Sequence, residues 1–420
     1  MTSSTPLPPE GHGLPQEIID TIIDTVSDST TLKACTLVRH DWLPRARQNL
    51  FCELSFPPAT LRGEERWRSD YEEVLRSVVM DVAHSNIKPP LSAAVRRLKL
   101  HFTDTSSELG FLEITSQLPF KNLHAIELLD SDLYRFEDHD QDALFLFLRE
   151  NPSLKELRLD GVNSEPKKFL HFFSRLAGLQ LQLRSLYLND FFGYHDDYHE
   201  PESTFLHSLP LLSNPPALQT LALHDVSRTE ADIFVIPLLT TPSRFFDLSC
   251  LQSLEFKFPF IESDEAILKM CGATVMRFTI KGIAHRIHDG VILEKCFHHL
   301  SNLVRLELHS VHPDRHGIVL LLLEHVPILR RLGQLSMQFV KAPSRVRDSS
   351  PPYTSAEWAL FGEGVDSKVD QLMQTSNPSL KHITLDIPCS WKNVTEERIR
   401  EYFPKTNSKA VLEVFRIQDS

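Results

Sequence analysis

The stretch LKELRLDGV, Leu154 to Val162, decides how this chain is read. Leu157 and Leu159 flank one polar residue, the alternation of a short strand with a single buried face. Asp160 and Gly161 then make a turn, and Val162 returns an apolar side chain to the core. Leu154 stands three residues ahead of the alternation and completes an L-x-x-L-x-L hexamer.

The hexamer recurs. VRRLKL starts at Val95, LHAIEL at Leu123, LRSLYL at Leu183, LQTLAL at Leu218 and LQSLEF at Leu251. VMRFTI follows at Val275, LVRLEL at Leu303, LGQLSM at Leu332 and LKHITL at Leu380, which makes ten copies. The starts lie 28, 31, 29, 35, 33, 24, 28, 29 and 48 residues apart, a narrow range with one outlier. Between the hexamers come segments with helical spacing, among them DALFLFLREN, KFLHFFSRLAGL and DEAILKMC. Each strand–helix unit has an apolar face that it cannot bury alone, and stacking on the next unit buries it. The expected fold class is α/β, an irregular solenoid with short parallel strands on one face and helices on the other.

These hexamers resemble the leucine-rich repeat, at intervals slightly longer than that family's usual spacing. They depart from it at one place. Where the family carries Asn or Cys, this chain carries Val162, Phe191, Val226, Ile283 and Val311. An amide ladder along the array is therefore not expected, and the curvature is not predictable. Most of the repeated leucines and phenylalanines are core. Binding is expected at the polar position inside each strand, taken as solvent-facing: Lys99, Glu127, Arg158, Tyr187, Ala222, Glu255, Thr279, Glu307, Ser336 and Thr384. Lys99, Glu127, Arg158, Tyr187, Glu255 and Glu307 are the candidate substrate-contacting residues. Their charge is mixed, with no aromatic ladder and no basic stripe, which fits a protein partner.

Residues 14–56 do not share the repeat. In LPQEIIDTIIDTV, Pro15 suits a first helical position, and Ile18, Ile19, Ile22, Ile23 and Val26 form one apolar face. Ser27, Asp28 and Ser29 are cap candidates for a second helix carrying Leu32, Cys35, Leu37 and Val38. A third is expected from about Asp41 through Trp42, Ala46, Leu50 and Phe51. Three helices in so few residues are near the lower limit for independent folding, and their apolar faces exceed what a miniature core needs. Arg39, Arg45 and Arg47 are read as the solvated side of these helices, since Asp41 interrupts them.

This module is similar to the F-box, the motif that binds the Skp-type adaptor of cullin–RING ubiquitin ligases. The wording resembles the F-box sets of mushroom-forming fungi, in which a repeat domain follows the motif. The resemblance implies an adaptor interface made by Leu14, Pro15, Ile18, Ile19, Ile22, Leu37, Val38, Trp42 and Leu50. The expected organisation is a disordered leader at 1–13, the F-box at 14–56, a connecting helical segment at 57–90 that caps the first repeat, and repeats over 91–420 with an exposed insertion at about 341–356.

Composition narrows the function further. A net charge of -12 argues against general nucleic-acid binding, which needs clustered Lys and Arg. Six scattered cysteines without a CxxC pair fit a reducing compartment, cytoplasmic or nuclear. No signal peptide is read at the N-terminus, and IVLLLL at Ile318–Leu323 is too short to span a membrane. HDDYH, His195 to His199, imitates a zinc motif but lacks a supporting helix, and CFHHL, Cys296 to Leu300, has no matching Cys pair. FGEGVDSK has glycines without the strand-loop-helix setting of a phosphate loop. No cofactor and no catalysis are expected. The expected role is a substrate-receptor subunit of a Skp–cullin–F-box ligase, with a repeat scaffold uncoupled from ubiquitin as the alternative.

Overall fold

A computed structural model describes residues 14–26, 28–56, 94–101, 120, 122–129, 138–161, 163–190, 192–193, 209, 212–224, 235–240, 245–257, 262–282, 290–311, 316–340, 355–375, 379–388 and 395–417. The leader, the connecting segment 57–90, HDDYH and most of the insertion lie outside these residues. The described residues form two compact units, one running to Glu127 and including Asp142–Leu154, the other made of Leu128–Gln141 and the chain from Lys155.

The first unit begins with three helices, α1 (Gln16–Asp24), α2 (Ser29–Val38) and α3 (Leu43–Leu50). Pro15 is the N-cap of α1, one place earlier than expected, because its ψ of 145° is still extended. The Asp28 carboxylate caps α2 by accepting from the Thr30 and Thr31 N–H groups. Ile19, Ile23, Leu32, Cys35 and Ala46 form the core of this bundle, with Val26, Trp42 and Leu50 packed against it. Only Phe51 and Cys52 separate α3 from a strand, β1 (Glu53–Phe56), which pairs in parallel with β2 (Arg97–His101). The sheet therefore starts inside the stretch assigned to the F-box, not at residue 91. The reason is visible in FCELSF, whose Phe51, Leu54 and Phe56 reproduce the hexamer pattern. β3 (Ala125–Leu129) follows β2 in the strand order.

In the second unit nine strands lie in sequence order: β4 (Glu156–Asp160), β6 (Ser185–Asn189), β8 (Thr220–His224), β9 (Ser253–Lys257), β10 (Arg277–Lys281), β11 (Arg305–Val311), β12 (Gln334–Phe339), β13 (His382–Pro388) and β14 (Val411–Ile417). The pairs from β4 to β14 are parallel. β5 (Asn163–Ser164) and β7 (Phe192–Gly193) make a separate two-stranded piece beside two of the turns. Every hexamer places its strand start at its third residue, while residues one, four and six turn inward; Leu251, Leu254 and Phe256 are buried, as are Leu303, Leu306 and Leu308. β14 is a further strand beyond the ten copies, with Leu412 as its buried residue.

One hydrogen-bond pattern sets the register in both units. The carbonyl of the second hexamer residue accepts from two consecutive N–H groups of the next repeat. Cys52 accepts from Arg96 and Arg97, Arg184 from Gln219 and Thr220, Met276 from Val304 and Arg305, and Gly333 from Lys381 and His382, at 2.7–3.2 Å. Just after β4, β6 and β10, and near the end of β11, the chain turns through a left-handed residue, at Gly161, Asp190, Gly282 and Ser310, with φ between 53° and 72°. These are the small or hydrogen-bonding residue types that tolerate positive φ. Val311 follows and is buried, as the apolar plug requires; Val162, Phe191, Val226 and Ile283 lie outside the described residues.

Helices fill the other layer. α4 (Asp138–Arg149), α5 (Pro166–Gly178), α6 (Ile236–Thr240), α7 (Glu262–Cys271), α8 (Gly290–His299) and α9 (His316–His325) lie between successive sheet strands. In α5, Phe169, Leu170, Phe172, Phe173, Leu176 and Ala177 are buried at helical spacing. Phe173 meets Phe169 and Phe246 edge-on, with ring centres 4.8 and 5.8 Å apart. IVLLLL belongs to α9, where Val319, Leu322 and Leu323 are buried. Among the described residues no helix is long and apolar enough to cross a membrane.

The long interval holds α10 (Ser355–Thr375), so the insertion ends before Ser355. FGEGVDSK lies within this helix. A Cβ on Gly362 would come within 2.5 Å of the Tyr402 Cβ and 2.8 Å of its carbonyl oxygen, so glycine lets α10 approach α11 (Glu396–Tyr402). Asp366 of α10 accepts from the Lys405 and Thr406 N–H groups at the start of α12 (Pro404–Lys409). Gly362→Ala is expected to cost about 2 kcal/mol through overpacking. Gly178→Ala, where the new Cβ meets nothing within 4 Å, is expected to be neutral or stabilising by about 0.5 kcal/mol. Thermal melts of the two variants check the contrast.

Candidate functional site

Two surfaces carry the residues that the sequence singles out. On the helical module the nine interface candidates separate into two groups. Ile19 is buried in the module core, and Trp42 and Leu50 are half-buried against it. The third helix starts at Leu43, and Trp42 is its N-cap, with its indole Nε1 buried and without a hydrogen-bond partner. Leu14, Pro15, Ile18, Ile22, Leu37 and Val38 are exposed, Leu37 to 86%. Ile18 and Ile22 are one turn apart on α1, and Leu37 and Val38 close α2. Helical periodicity alone could not separate Ile18 and Ile22 from Ile19 and Ile23, since all four fall on one broad face.

The module is pinned by charge as well as by its core. Arg45 of α3 donates from Nε to Asp24 Oδ1 of α1 at 2.6 Å and from Nη2 to Asp24 Oδ2. Asn49 donates to the same carboxylate at 3.0 Å and to the Ile23 carbonyl at 3.2 Å. These bonds, that of Arg45 first, lower the Asp24 pKa to about 2. Arg39 pairs with Asp41 at 2.9 Å. Arg39 and Arg45 are therefore engaged with carboxylates of their own module.

The column of strand residues is real as a register. In the second unit Arg158 pairs with Tyr187, Tyr187 with Ala222, Ala222 with Glu255, Glu255 with Thr279, Thr279 with Glu307, Glu307 with Ser336 and Ser336 with Thr384. It is not solvent-facing throughout, which corrects the expectation. Ala222, Thr279, Glu307, Ser336 and Thr384 are buried. Arg158 stacks 4.1 Å over the Tyr187 ring and donates to Glu156 at 2.6 Å. In the first unit, Lys99 Nζ lies 2.8 Å from Glu53 and 3.6 Å from Glu127.

The neighbouring columns, which the expectation did not cover, carry further charge. On this face β9, β10 and β11 carry Lys257, Arg277, Lys281 and Arg305, grouped around Glu255 and Glu307. Glu307, with a side chain only 2% exposed, receives Arg277 Nη2 at 2.7 Å, Arg305 Nε, Thr279 Oγ1 at 3.1 Å, and His309 Nε2 at 3.6 Å. Glu255 meets His224 Nε2 at 2.6 Å and Lys281 Nζ. Burial alone would raise both carboxyls, but the bonds from His309 and Arg277 to Glu307, and from His224 and Lys281 to Glu255, outweigh it and lower each pKa to about 2. The sequence signal was present at positions two residues either side of the column.

Among the described residues no group of three or more His, Cys, Asp and Glu side chains is placed to hold a metal ion. Cys271 and Cys296 are buried, which pushes their thiols up to about 12.

No family model matches this sequence, and neither does any curated protein. Among solved structures, the leucine-rich repeat-containing protein LegL7 of Legionella pneumophila is 13% identical with a TM-score of 0.44, over 86% of this chain and 98% of that one. The yeast Rad7–Elc1 complex gives 16% and 0.31, over 92% and 98% of the two chains. The TLR13–ssRNA13 complex gives 14% and 0.31, over 70% of this chain and 36% of that one.

The lowered Glu307 pKa fixes the sign of an acid effect. Its stabilisation is complete above the ordinary value of 4.5 and is lost as pH falls towards about 2. Glu307→Gln is expected to lower stability by about 2 kcal/mol at neutral pH. The gap to wild type should close as pH drops through that window, read by denaturant melts at stepped pH.

Proposed function

We propose that this chain is the substrate-receptor subunit of a Skp–cullin–F-box type ubiquitin ligase. The three-helix module docks a Skp-type adaptor, and the sheet face of the repeats holds a target protein. The chain itself performs no bond chemistry. Tethering raises the effective concentration of a target lysine near the conjugating enzyme that the cullin–RING assembly brings.

The observation that carries the reading is the set of exposed apolar residues on the helical module. Leu14, Ile18, Ile22, Leu37 and Val38 stand in solvent although the module has a complete miniature core without them. Exposed apolar groups in excess of folding needs mark a protein interface. They coincide with positions at which the sequence resembles the F-box, and the module runs directly into the first strand of the sheet, so it is coupled to the repeats through β1.

The test is binding of the purified chain to a Skp-type adaptor by calorimetry. Ile22→Asp/Leu37→Asp is expected to weaken binding by about thirtyfold, equivalent to roughly 2 kcal/mol, while the melting temperature stays close to wild type, since both side chains are exposed. Trp42→Ala is expected to act differently, by loosening the module core by about 3 kcal/mol. No adaptor binding by the wild-type chain would sink the reading in favour of a repeat scaffold uncoupled from ubiquitin.

A further inference from the structure

We infer that the edge of the second unit at which the chain enters β10, β11 and β12 docks an amphipathic helix of a partner protein. Met276 and Val304 take its apolar face, and Arg331 and Lys381 its carboxylates. The surface uses no residue of the helical module or of the strand columns described above, so it goes beyond the adaptor and target reading.

Met276, Val304, Gly333 and Lys381 occupy the second position of their hexamers, just ahead of the strands. The backbone fork makes them direct neighbours. The Met276 carbonyl accepts from the Val304 N–H at 2.9 Å, that of Val304 from Gly333 at 2.8 Å, and that of Gly333 from Lys381 at 3.1 Å. The fork uses only the carbonyl, so folding asks nothing of the side chain here. In the other repeats of this unit the position holds Lys155, Arg184, Gln219 and Gln252. Met276 and Val304 are apolar nonetheless, and are 49% and 40% exposed. Met270, in the last turn of α7, is exposed at the same end. Grouped exposed apolar side chains mark a binding surface, whereas single ones do not. Gly333 leaves a notch beside them: a Cβ there would meet nothing closer than 3.6 Å and would lie 3.9 Å from Val304 Cγ1.

A polar rail borders the apolar pair. Arg331 Nη1 donates to Asn302 Oδ1 at 2.7 Å, and Asn302 Nδ2 donates to the Ala273 carbonyl at 2.6 Å. Among the described residues Arg331 meets no carboxylate, and Lys381 is exposed and makes no ion pair. The segments leading into the strands, 266–276, 295–305, 325–334 and 371–381, contain no Asp or Glu. The carboxylates that bound these segments on the helices are engaged there. Glu265 meets Lys295 at 3.8 Å, Glu294 meets His298 at 3.9 Å, Glu324 meets Lys368 at 4.0 Å, and Asp370 accepts from Gln374 at 2.7 Å. Glu307 and Asp386 lie further along their strands. An apolar pair bordered by cations without acidic partners is complementary to a ligand that is apolar with an acidic flank.

Spacing selects a helix. Neighbouring strands are about 4.8 Å apart, so the four positions cover roughly 14 Å in three steps. A helix returns to the same face about every 5.4 Å along its axis. It can set two apolar residues, a bulky one and a carboxylate against Met276, Val304, Gly333 and Lys381 in turn. In an extended segment, residues on one face are about 6.6 Å apart and fall out of step. A lipid surface calls for a broad apolar area, whereas this stripe ends at Gln252 on one side and Lys381 on the other.

The experiment uses the full chain, isotope-labelled at its methionine methyl groups and followed by NMR. The probe is an alanine-based helical peptide with Leu in three successive turns and Glu in the next. The Met276 methyl signal, assigned with Met276→Leu, is expected to shift, while that of the buried Met337 stays in place. Added salt should weaken binding. Arg331→Gln/Lys381→Gln and Val304→Asp should each weaken it by about tenfold, with melts close to wild type because the side chains are exposed. Ile22→Asp/Leu37→Asp should bind the peptide like wild type, so failure of the adaptor reading and failure of this one show up in different variants. A Met276 signal unmoved at millimolar peptide would overturn the proposal. So would equal binding of the peptide with Lys in place of Glu, or a Met276 shift produced by phosphatidylserine vesicles and not by the peptide.

Discussion

Everything in this chain depends on one backbone contact, the fork in which a single carbonyl holds two consecutive N–H groups of the following repeat. It is made by Cys52, Arg96, Lys155, Arg184, Gln219, Gln252, Met276, Val304 and Gly333. These side chains have nothing in common, because the contact uses only the backbone. The residue just before each carbonyl is the apolar one that opens the hexamer, and in the ten hexamers the residues two and four beyond the carbonyl are buried as well. The fork sets the register, the register sets which residues face the core, and burial of those residues makes the stack cooperative. Polar residues that share a column are brought together by the same contact.

The fold was legible because this constraint leaves a mark of fixed spacing. All ten hexamers became strands, each from its third residue. The two other strands of the main sheet escaped for definable reasons. β1 has the pattern, but Phe51 also closes α3, so the same residues read as the end of a helical module. β14 has Leu412 and Val414 at the right spacing, but Lys409 stands where the opening apolar residue belongs. The helices α4, α5 and α7 followed from their apolar spacing, and glycines resembling a loop proved to be a helix contact because Tyr402 comes from distant sequence.

The candidate sites were less legible. Register predicted which residues share a column, but not how deep each lies. Glu307 is buried because Arg277, Arg305 and His309 belong to the columns beside it, and a single column read alone cannot reveal that. On the helical module the difficulty was angular. Neighbouring isoleucines on α1 point about 100° apart, enough to place Ile19 and Ile23 in the core and leave Ile18 and Ile22 outside. Trp42 lies half-buried against the module core as the N-cap of a helix that begins at Leu43, two positions after the start expected at Asp41.

Two surfaces of opposite character follow, one apolar on the helices and one charged on the strands. The proposed function assigns them separate tasks, adaptor to the first and target to the second. Hydrogen–deuterium exchange of the full chain with and without a Skp-type adaptor tests that division most directly. The account predicts new protection confined to α1 and the end of α2, with exchange in β9–β11 unchanged. Protection appearing in those strands, with the helices unaffected, would contradict it.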